Sequence, residues 1–465
     1  MIWLAPAMFG GLVIILLMGY PAAFSLAANG LLFAFIGVKL GLFDWSLMQA
    51  LPNRMLGIVG NQTLLAIPFF TFMGLILERS GMAEDLLLSV GQLFGSVRGG
   101  LAYAVIFVGV LLAATTGVVA ASVIAMGLIS LPVMLRYGYD ARLATGVIAA
   151  SGTLAQIIPP GLVLIVLADQ LGVPVGDMFR AAILPSVVLA LSYVAFVFVV
   201  TLVKPDAAPA LPESERILRG WALWRSALLS ILPPLALISL VLGSIFMGWA
   251  TPSEGGAMGA SGAMLLAGVK RRLSLDLLRQ AMDRTLRLLS FVMFILIGST
   301  VFSLVFRGVN GDLWVEHLLT NLPGGTLGFL LVVNVFVFFL AFFLDFFEIA
   351  FIAIPLLAPV AQKLGINLVW FGVLLAVNMQ TSFMHPPFGF ALFYLRSVAP
   401  KSLPSSKIYY GALPFVLIQL AVVGLVIAFP GLTGGASQKK LSSGVIEVPM
   451  DQQGYGDYYL PKEWR

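Results

Sequence analysis

The chain has 465 residues, 60% hydrophobic and only 10% charged, where a soluble domain carries roughly 25%. Its formal charge of +5 resides in short segments between apolar runs, which is the pattern of a protein oriented in a lipid bilayer and not of one that binds nucleic acid. With no cysteine, disulfides and thiolate metal sites are excluded.

Apolar runs near or beyond the ~20 residues needed to cross a bilayer predict an all-α polytopic membrane protein. Residues 2–19 and 21–38 read as two spans. The first basic residue is Lys39, so the N-terminus lacks the charged region of a secretory signal. Residues 44–54, with Trp45, form an amphipathic stretch suited to the interface. A third span covers 64–77, and 81–97 reads as an amphipathic helix. In 99–136 two apolar limbs, each about 24 Å of helix and so short of a full crossing, meet at Thr115-Thr116-Gly117. Arg98 and Arg136 flank them, which predicts a re-entrant hairpin. Two short spans, or one long span and a buried loop, are the alternatives. Residues 143–168 are interrupted by Ser151-Gly152-Thr153 and by Pro159-Pro160-Gly161; proline has no N–H to donate and clashes with the preceding turn, so a broken helix is expected. A span at 181–203 ends the first half.

Residues 204–225 are polar and proline-rich and read as a linker. The pattern then repeats: spans at 226–248 and 252–269, a basic amphipathic helix at 270–287, and a span at 288–306. A second hairpin, about 327–362, has limbs 327–343 and 349–360 with Asp345 at its tip. A second broken helix, 368–395, is cut at Pro386-Pro387. The last span is 409–429, and 431–465 is a polar tail expected to be periplasmic and flexible. The expectation is about ten full spans, two of them broken, plus two re-entrant hairpins.

Pro359 minus Pro132, Gly365 minus Gly138 and Pro386 minus Pro159 all give 227. Five spans per half place the two starts on opposite sides, so residues 1–203 and 226–430 read as an inverted repeat. Basic residues concentrate in the loops on the linker's side, which makes the linker cytoplasmic and both termini periplasmic.

The candidate functional residues follow from the cost of polarity and broken backbone at membrane depth. Two broken elements in matching positions of two halves are a pointer to a transporter binding site. Asp345 and Glu348, three apart in an apolar run, can bind a cation, complement a substrate hydroxyl or carry a proton; interfacial acids at a hairpin end are the alternative. Asn378, Gln380, Thr381 and Ser382 offer hard oxygens before the second break, and Thr115, Thr116, Gly117, Ser122, Ser151, Gly152 and Thr153 form the matching set in the first half. Packing between helices through small polar side chains is the competing explanation. Asp345, Glu348, Thr116, Ser151 and His385 are the candidates for substrate contact. No phosphate-binding loop, HExxH or partnered GxSxG motif occurs, so ATP-driven pumping and hydrolytic chemistry have no support and no enzyme is expected.

With these residues in hand, the chain resembles the large membrane subunit of tripartite ATP-independent periplasmic (TRAP) transporters. The most specific segments are IPFFTFMGLILERSGMAEDLL, GYDARLATGVIAASGTLAQIIPPG, GWATPSEGGAMGA and LDFFEIAFIAIPLLAPVAQ with NMQTSFMHPPFGFALFYLR. The last pair resembles the mannitol and chloroaromatic branch. The resemblance implies an inverted-repeat, elevator-type fold of the ion-transporter superfamily in the bacterial inner membrane. It further implies sodium as coupling ion, no other cofactor, a small four-helix membrane subunit, a periplasmic substrate-binding protein and a small organic acid as cargo. By position, the family's Ser-Gly-Ser corresponds to Thr116-Gly117-Val118, its Asp-Pro-Thr to Asp345-Phe346-Phe347, its Asn-Leu-Glu to Asn378-Met379-Gln380, and its threonine before the proline pair to His385. The hydroxyls at Val118, Phe347 and His385 are therefore missing. The rival function is a stand-alone ion-coupled organic anion symporter without partner subunits.

Overall fold

The computed structural model describes residues 3–216, 220–342, 344–386 and 389–434, and no strand occurs among them. The first half contains α1 (Leu4–Leu17), α2 (Ala22–Lys39), a 3-10 turn, α3 (Leu51–Val59), α4 (Ala66–Arg79) and α5 (Met82–Phe94). The first hairpin is α6 (Gly100–Thr116) against α7 (Val119–Arg136), and the first broken helix is α8 (Ala141–Thr153) followed by α9 (Leu162–Leu171). The half closes with α10 (Val175–Val203). The second half has α11 (Gly220–Phe246), α12 (Pro252–Val269), α13 (Leu275–Gly308) and α14 (Gly311–Thr320). The segment expected to form its hairpin comprises α15 (Gly325–Leu340), α16 (Phe346–Ile352) and α17 (Ile354–Lys363). Its broken helix is α18 (Leu368–Gln380) and α19 (Phe390–Val398), and α20 (Ser405–Ala428) ends it.

The spacing of 227 seen in three prolines and glycines extends to whole elements. Adding 227 to α8 (141–153) gives 368–380, which is α18, and adding it to α7 (119–136) gives 346–363, which is α16 with α17. The caps recur as well. Asp140 accepts from the Arg142 N–H at the start of α8, and Asn367, 227 residues on, accepts from Val369 and Trp370 at the start of α18. A side-chain oxygen there fills an otherwise unmatched helix-start donor.

Packing is exchanged between the halves. α2 lies on α13 and α4 on α12 through small residues: a Cβ on Gly298 would sit 2.3 Å from the Ala23 carbonyl, and one on Gly259 would sit 2.5 Å from the Met73 sulfur. α8 meets α20 where Gly146 faces the Gly411 carbonyl, and α18 meets α10. Small residues let backbones approach, which is how helices gain contact where lipid removes the hydrophobic drive between them. α7 packs on α19, and α16 and α17 pack on α9, so each hairpin's second limb leans on the other half's broken helix.

Six helices, α2, α7, α10, α11, α13 and α20, are individually long and apolar enough to cross a membrane, rising to eight if the bent pairs α14–α15 and α16–α17 each count as one. This is a multi-pass helical membrane protein. Several sequence expectations are corrected. The amphipathic helix 270–287 and the span 288–306 are one 34-residue helix, α13, because no proline or glycine pair interrupts the run. The stretch 44–54, read only as amphipathic, takes the form of a 3-10 turn leading into α3, with Pro52 in the first turn of that helix. α11 begins at Gly220, so 220–225 of the expected linker are helical. Sequence reading also passed over α14, a ten-residue helix with an Asn310 left-handed start. Of the predicted tail, 435–465 lies outside the described residues.

Candidate ion and substrate site

Each hairpin tip meets the break of its own half. α6 ends on Gly117, whose φ of +58° is the left-handed conformation that favours glycine. A Cβ there would face Leu162 and the Pro160 carbonyl, so the first tip rests on the gap between α8 and α9. At the second tip, Phe346 stands 6.4 Å from Phe383 between ring centres. The His385 ring lies between Phe342, stacked at 4.3 Å, and Phe338, edge-on at 4.2 Å.

Where the two broken helices cross, their polar residues join. Gln380 Nε2 donates to Thr153 Oγ1 at 3.1 Å, a bond between positions 227 apart. Gln419, from α20, donates from Nε2 to the same oxygen at 3.4 Å and to Tyr193 OH at 2.9 Å. Asn378 Nδ2 donates to the Asn334 backbone carbonyl at 2.8 Å and to Asn334 Oδ1 at 3.0 Å, tying α18 to α15. These side chains are buried, and the remaining amide oxygens of Asn378, Gln380 and Gln419 are orphans. Ser151 Oγ, both polar atoms of Gln156, Asn378 Oδ1, Gln380 Oε1, Gln419 Oε1 and both ring nitrogens of His385 have no hydrogen-bond partner. They make up more than half of the buried, unpartnered side-chain atoms among the described residues. A buried polar atom left unmatched costs about 1–3 kcal/mol, which makes the five unmatched oxygens among them candidates for ligating something else. A bare cation is served by hard oxygens, and such oxygens at broken helices are where transporters hold one.

The expected residues divide. Thr153 and Gln380 come together, Asn378 joins Asn334 on α15, Ser151 is buried with its hydroxyl unpartnered, and Gly152 fits under α7 with Val123 Cγ2 only 2.2 Å from where its Cβ would be. Other hydroxyl protons are spent within their own helices: Thr115 donates to the Leu112 carbonyl at 3.0 Å, Ser122 to Val118 at 3.3 Å, Thr381 to Asn378 at 2.6 Å and Ser382 to Met379 at 2.6 Å. Their oxygens keep acceptor capacity only. Asp345 and Glu348 form a reciprocal cap: Glu348 N–H donates to Asp345 Oδ1 at 2.9 Å and Asp345 N–H to Glu348 Oε2 at 3.0 Å. Both acids thus have a structural task at the start of α16, and each keeps a second carboxylate oxygen. Pro159, joined to Pro160 by a cis bond, and Pro386 mark the two breaks. Pro387 and the Thr116 side chain lie outside the described residues. Sequence reading missed Asn334, Gln156, Tyr193 and Gln419. The signal was there for Asn334 and Gln419, each a lone amide in an otherwise apolar run.

A large cleft lies elsewhere. It measures about 940 Å³, lies between α6, α10 and α11, is almost wholly apolar, and touches the break only at Ile158 and Pro159.

Two broken helices crossing through amides, with a hairpin tip at each break, is a transporter's geometry, and the comparisons agree. Residues 9–432 match the family model for the tripartite ATP-independent periplasmic transporter, DctM component. The chain belongs to this family. It is a TRAP large permease, a transporter and not an enzyme, and membership implies a small permease and a periplasmic binding protein as partners. It is 31% identical over 394 residues to the C4-dicarboxylate TRAP large permease DctM of Pseudomonas aeruginosa, covering 84% of this chain and 90% of the relative. It is 27% identical over 421 residues to the sialic acid TRAP large permease SiaM of Vibrio cholerae, covering 90% and 95%. The fold matches that of the YdaH transporter of Alcanivorax borkumensis with a TM-score of 0.59 at 16% identity, over 84% of this chain and 91% of the other.

Proposed function

We propose that this TRAP large permease is the transmembrane subunit of a sodium-coupled secondary-active importer, and that its cargo is a small organic acid delivered by the periplasmic binding protein. The observation that carries the reading is the set of buried, unpartnered amide oxygens of Asn378, Gln380 and Gln419 beside the crossing of the broken helices. Sodium bound there fastens the breaks, and the tips close on substrate once it is seated. The halves 1–203 and 226–430 act as an inverted repeat of about ten crossings. The hairpins and broken helices move against a scaffold that includes α2, α4, α12 and α13, with the linker cytoplasmic and both termini periplasmic. C4-dicarboxylates and sialic acid, the solutes named for the relatives above, share a carboxylate. The Phe346–Phe347 pair at 3.9 Å and the ring-flanked His385 favour a flatter, less polar acid than a sugar acid, in keeping with the chloroaromatic branch.

The test is uptake by proteoliposomes holding both membrane subunits, with the binding protein outside and a radiolabelled panel of dicarboxylates, sugar acids and aromatic acids. An inward sodium gradient should drive accumulation, and dissipating it should abolish accumulation. Uptake that ignores the sodium gradient sinks the coupling-ion assignment, and uptake without binding protein or small subunit supports a stand-alone symporter instead.

A further inference from the structure

Gln419 and Tyr193 stand on α20 and α10, helices outside both hairpins and both broken helices, yet they end in the same polar knot as Thr153 and Gln380. The bonding of Thr153 decides how that knot is oriented. Its hydroxyl proton is committed to the Ala150 carbonyl at 2.8 Å, so its oxygen can only accept. It accepts from Gln380 Nε2 and from Gln419 Nε2, and both amides are thereby forced to turn their nitrogen towards the threonine. The Tyr193 hydroxyl accepts from the same Gln419 nitrogen at 2.9 Å and anchors that side chain from α10, while the orientation of the amide is set by Thr153. What remains of each glutamine is its Oε1, buried and unmatched. Reversing either amide would set its oxygen against the Thr153 oxygen, which has no proton to offer.

We infer that Tyr193 and Gln419 are positioning residues for the coupling cation: through Thr153 they hold the Gln380 amide with its oxygen presented to the ion. This rests on the cation reading above and adds to it two residues from helices that the motifs do not reach. α10 and α20 pack against α18 and α8 respectively, so the knot ties the last helix of each half to the other half's broken helix.

The experiment is sodium titration of initial uptake rate in proteoliposomes carrying the complete membrane complex, for wild type, Tyr193→Phe, Gln419→Leu and Ser89→Ala. Tyr193→Phe keeps the ring in place against Phe415, 5.2 Å away, and removes one acceptor. It should raise the half-saturating sodium concentration about fivefold, the effect of one lost hydrogen bond, with maximal rate per folded complex unchanged. Gln419→Leu should raise it further. Ser89→Ala cuts a different inter-helix hydroxyl cluster, with Ser226 and Ser230, and should lower melting temperature without moving the sodium requirement. A folded Tyr193→Phe complex with wild-type sodium half-saturation, or with a loss confined to maximal rate, overturns the inference and leaves sodium coupling standing. Wild-type uptake indifferent to sodium overturns both.

Discussion

The two hairpins occupy matching places in the repeat and are built differently. In the first, α6 packs directly on α7, the second limb is one unbroken 18-residue helix, and the turn is a left-handed glycine. Both of its ends are moored to the linker. Gly99 N–H donates to the Ala208 carbonyl at 2.8 Å, Asp140 N–H to Ala207 at 2.9 Å, and Leu211 N–H to Gly95 at 2.9 Å, with Ala208 and Leu211 buried. In the second, an apolar cleft of about 210 Å³, walled also by α1 and α14, lies between the limbs, and the second limb bends by 53° between α16 and α17. Pro355 explains the bend, since it cannot donate to the Phe351 carbonyl four residues back; Ser299 from α13 donates there instead, at 2.5 Å. Among the described residues, backbone hydrogen bonds at the ends of the second hairpin are all local. One half has thus made its hairpin a moored wedge, and the other a capped, kinked and loosely filled one. Asp345 and Glu348 sit in the looser one, where they cap the start of α16.

The change with the largest expected effect is at the second tip. Asp345→Ala removes the cap and the carboxylate together; uptake in proteoliposomes should be abolished, with a stability cost of about 0.5–2 kcal/mol. Asp345→Asn separates the two roles, because asparagine caps as well as aspartate. It should melt like wild type and still transport poorly, and full transport by this variant would reduce Asp345 to a cap. The first hairpin should break through packing instead. Gly152→Val drives a side chain into Val123, 2.2 Å from the new Cβ, and should destabilise by about 1–3 kcal/mol and slow uptake, read by melting and rate together. Its counterpart 227 residues on is Met379, so the second half already carries bulk at that place. The smallest effect is expected at the mooring's rim. Arg136 and Glu215 are 3.6 Å apart and largely solvated, and Arg136→Ala should cost less than about 1 kcal/mol. A larger loss would mean that the linker is held by charge and not by the three backbone bonds.

Much of this was legible in the residues themselves. Apolar length fixes a membrane protein, and Pro159-Pro160 and Pro386 mark where helices stop, although Pro233-Pro234 lies inside the unbroken α11, so a missing N–H permits a break that packing then decides. Three landmarks at one spacing reveal the repeat, because prolines and glycines act on the backbone at their own position. Tertiary structure alone decided which polar atoms are spent and which are spare. Thr381 and Ser382 give their protons to the turn before and present their oxygens as acceptors only, while Gln419, an amide in the last helix, reaches Thr153 from 266 residues away. Whether an oxygen is free depends on what a neighbouring helix brings to it, and no local pattern in the chain records that.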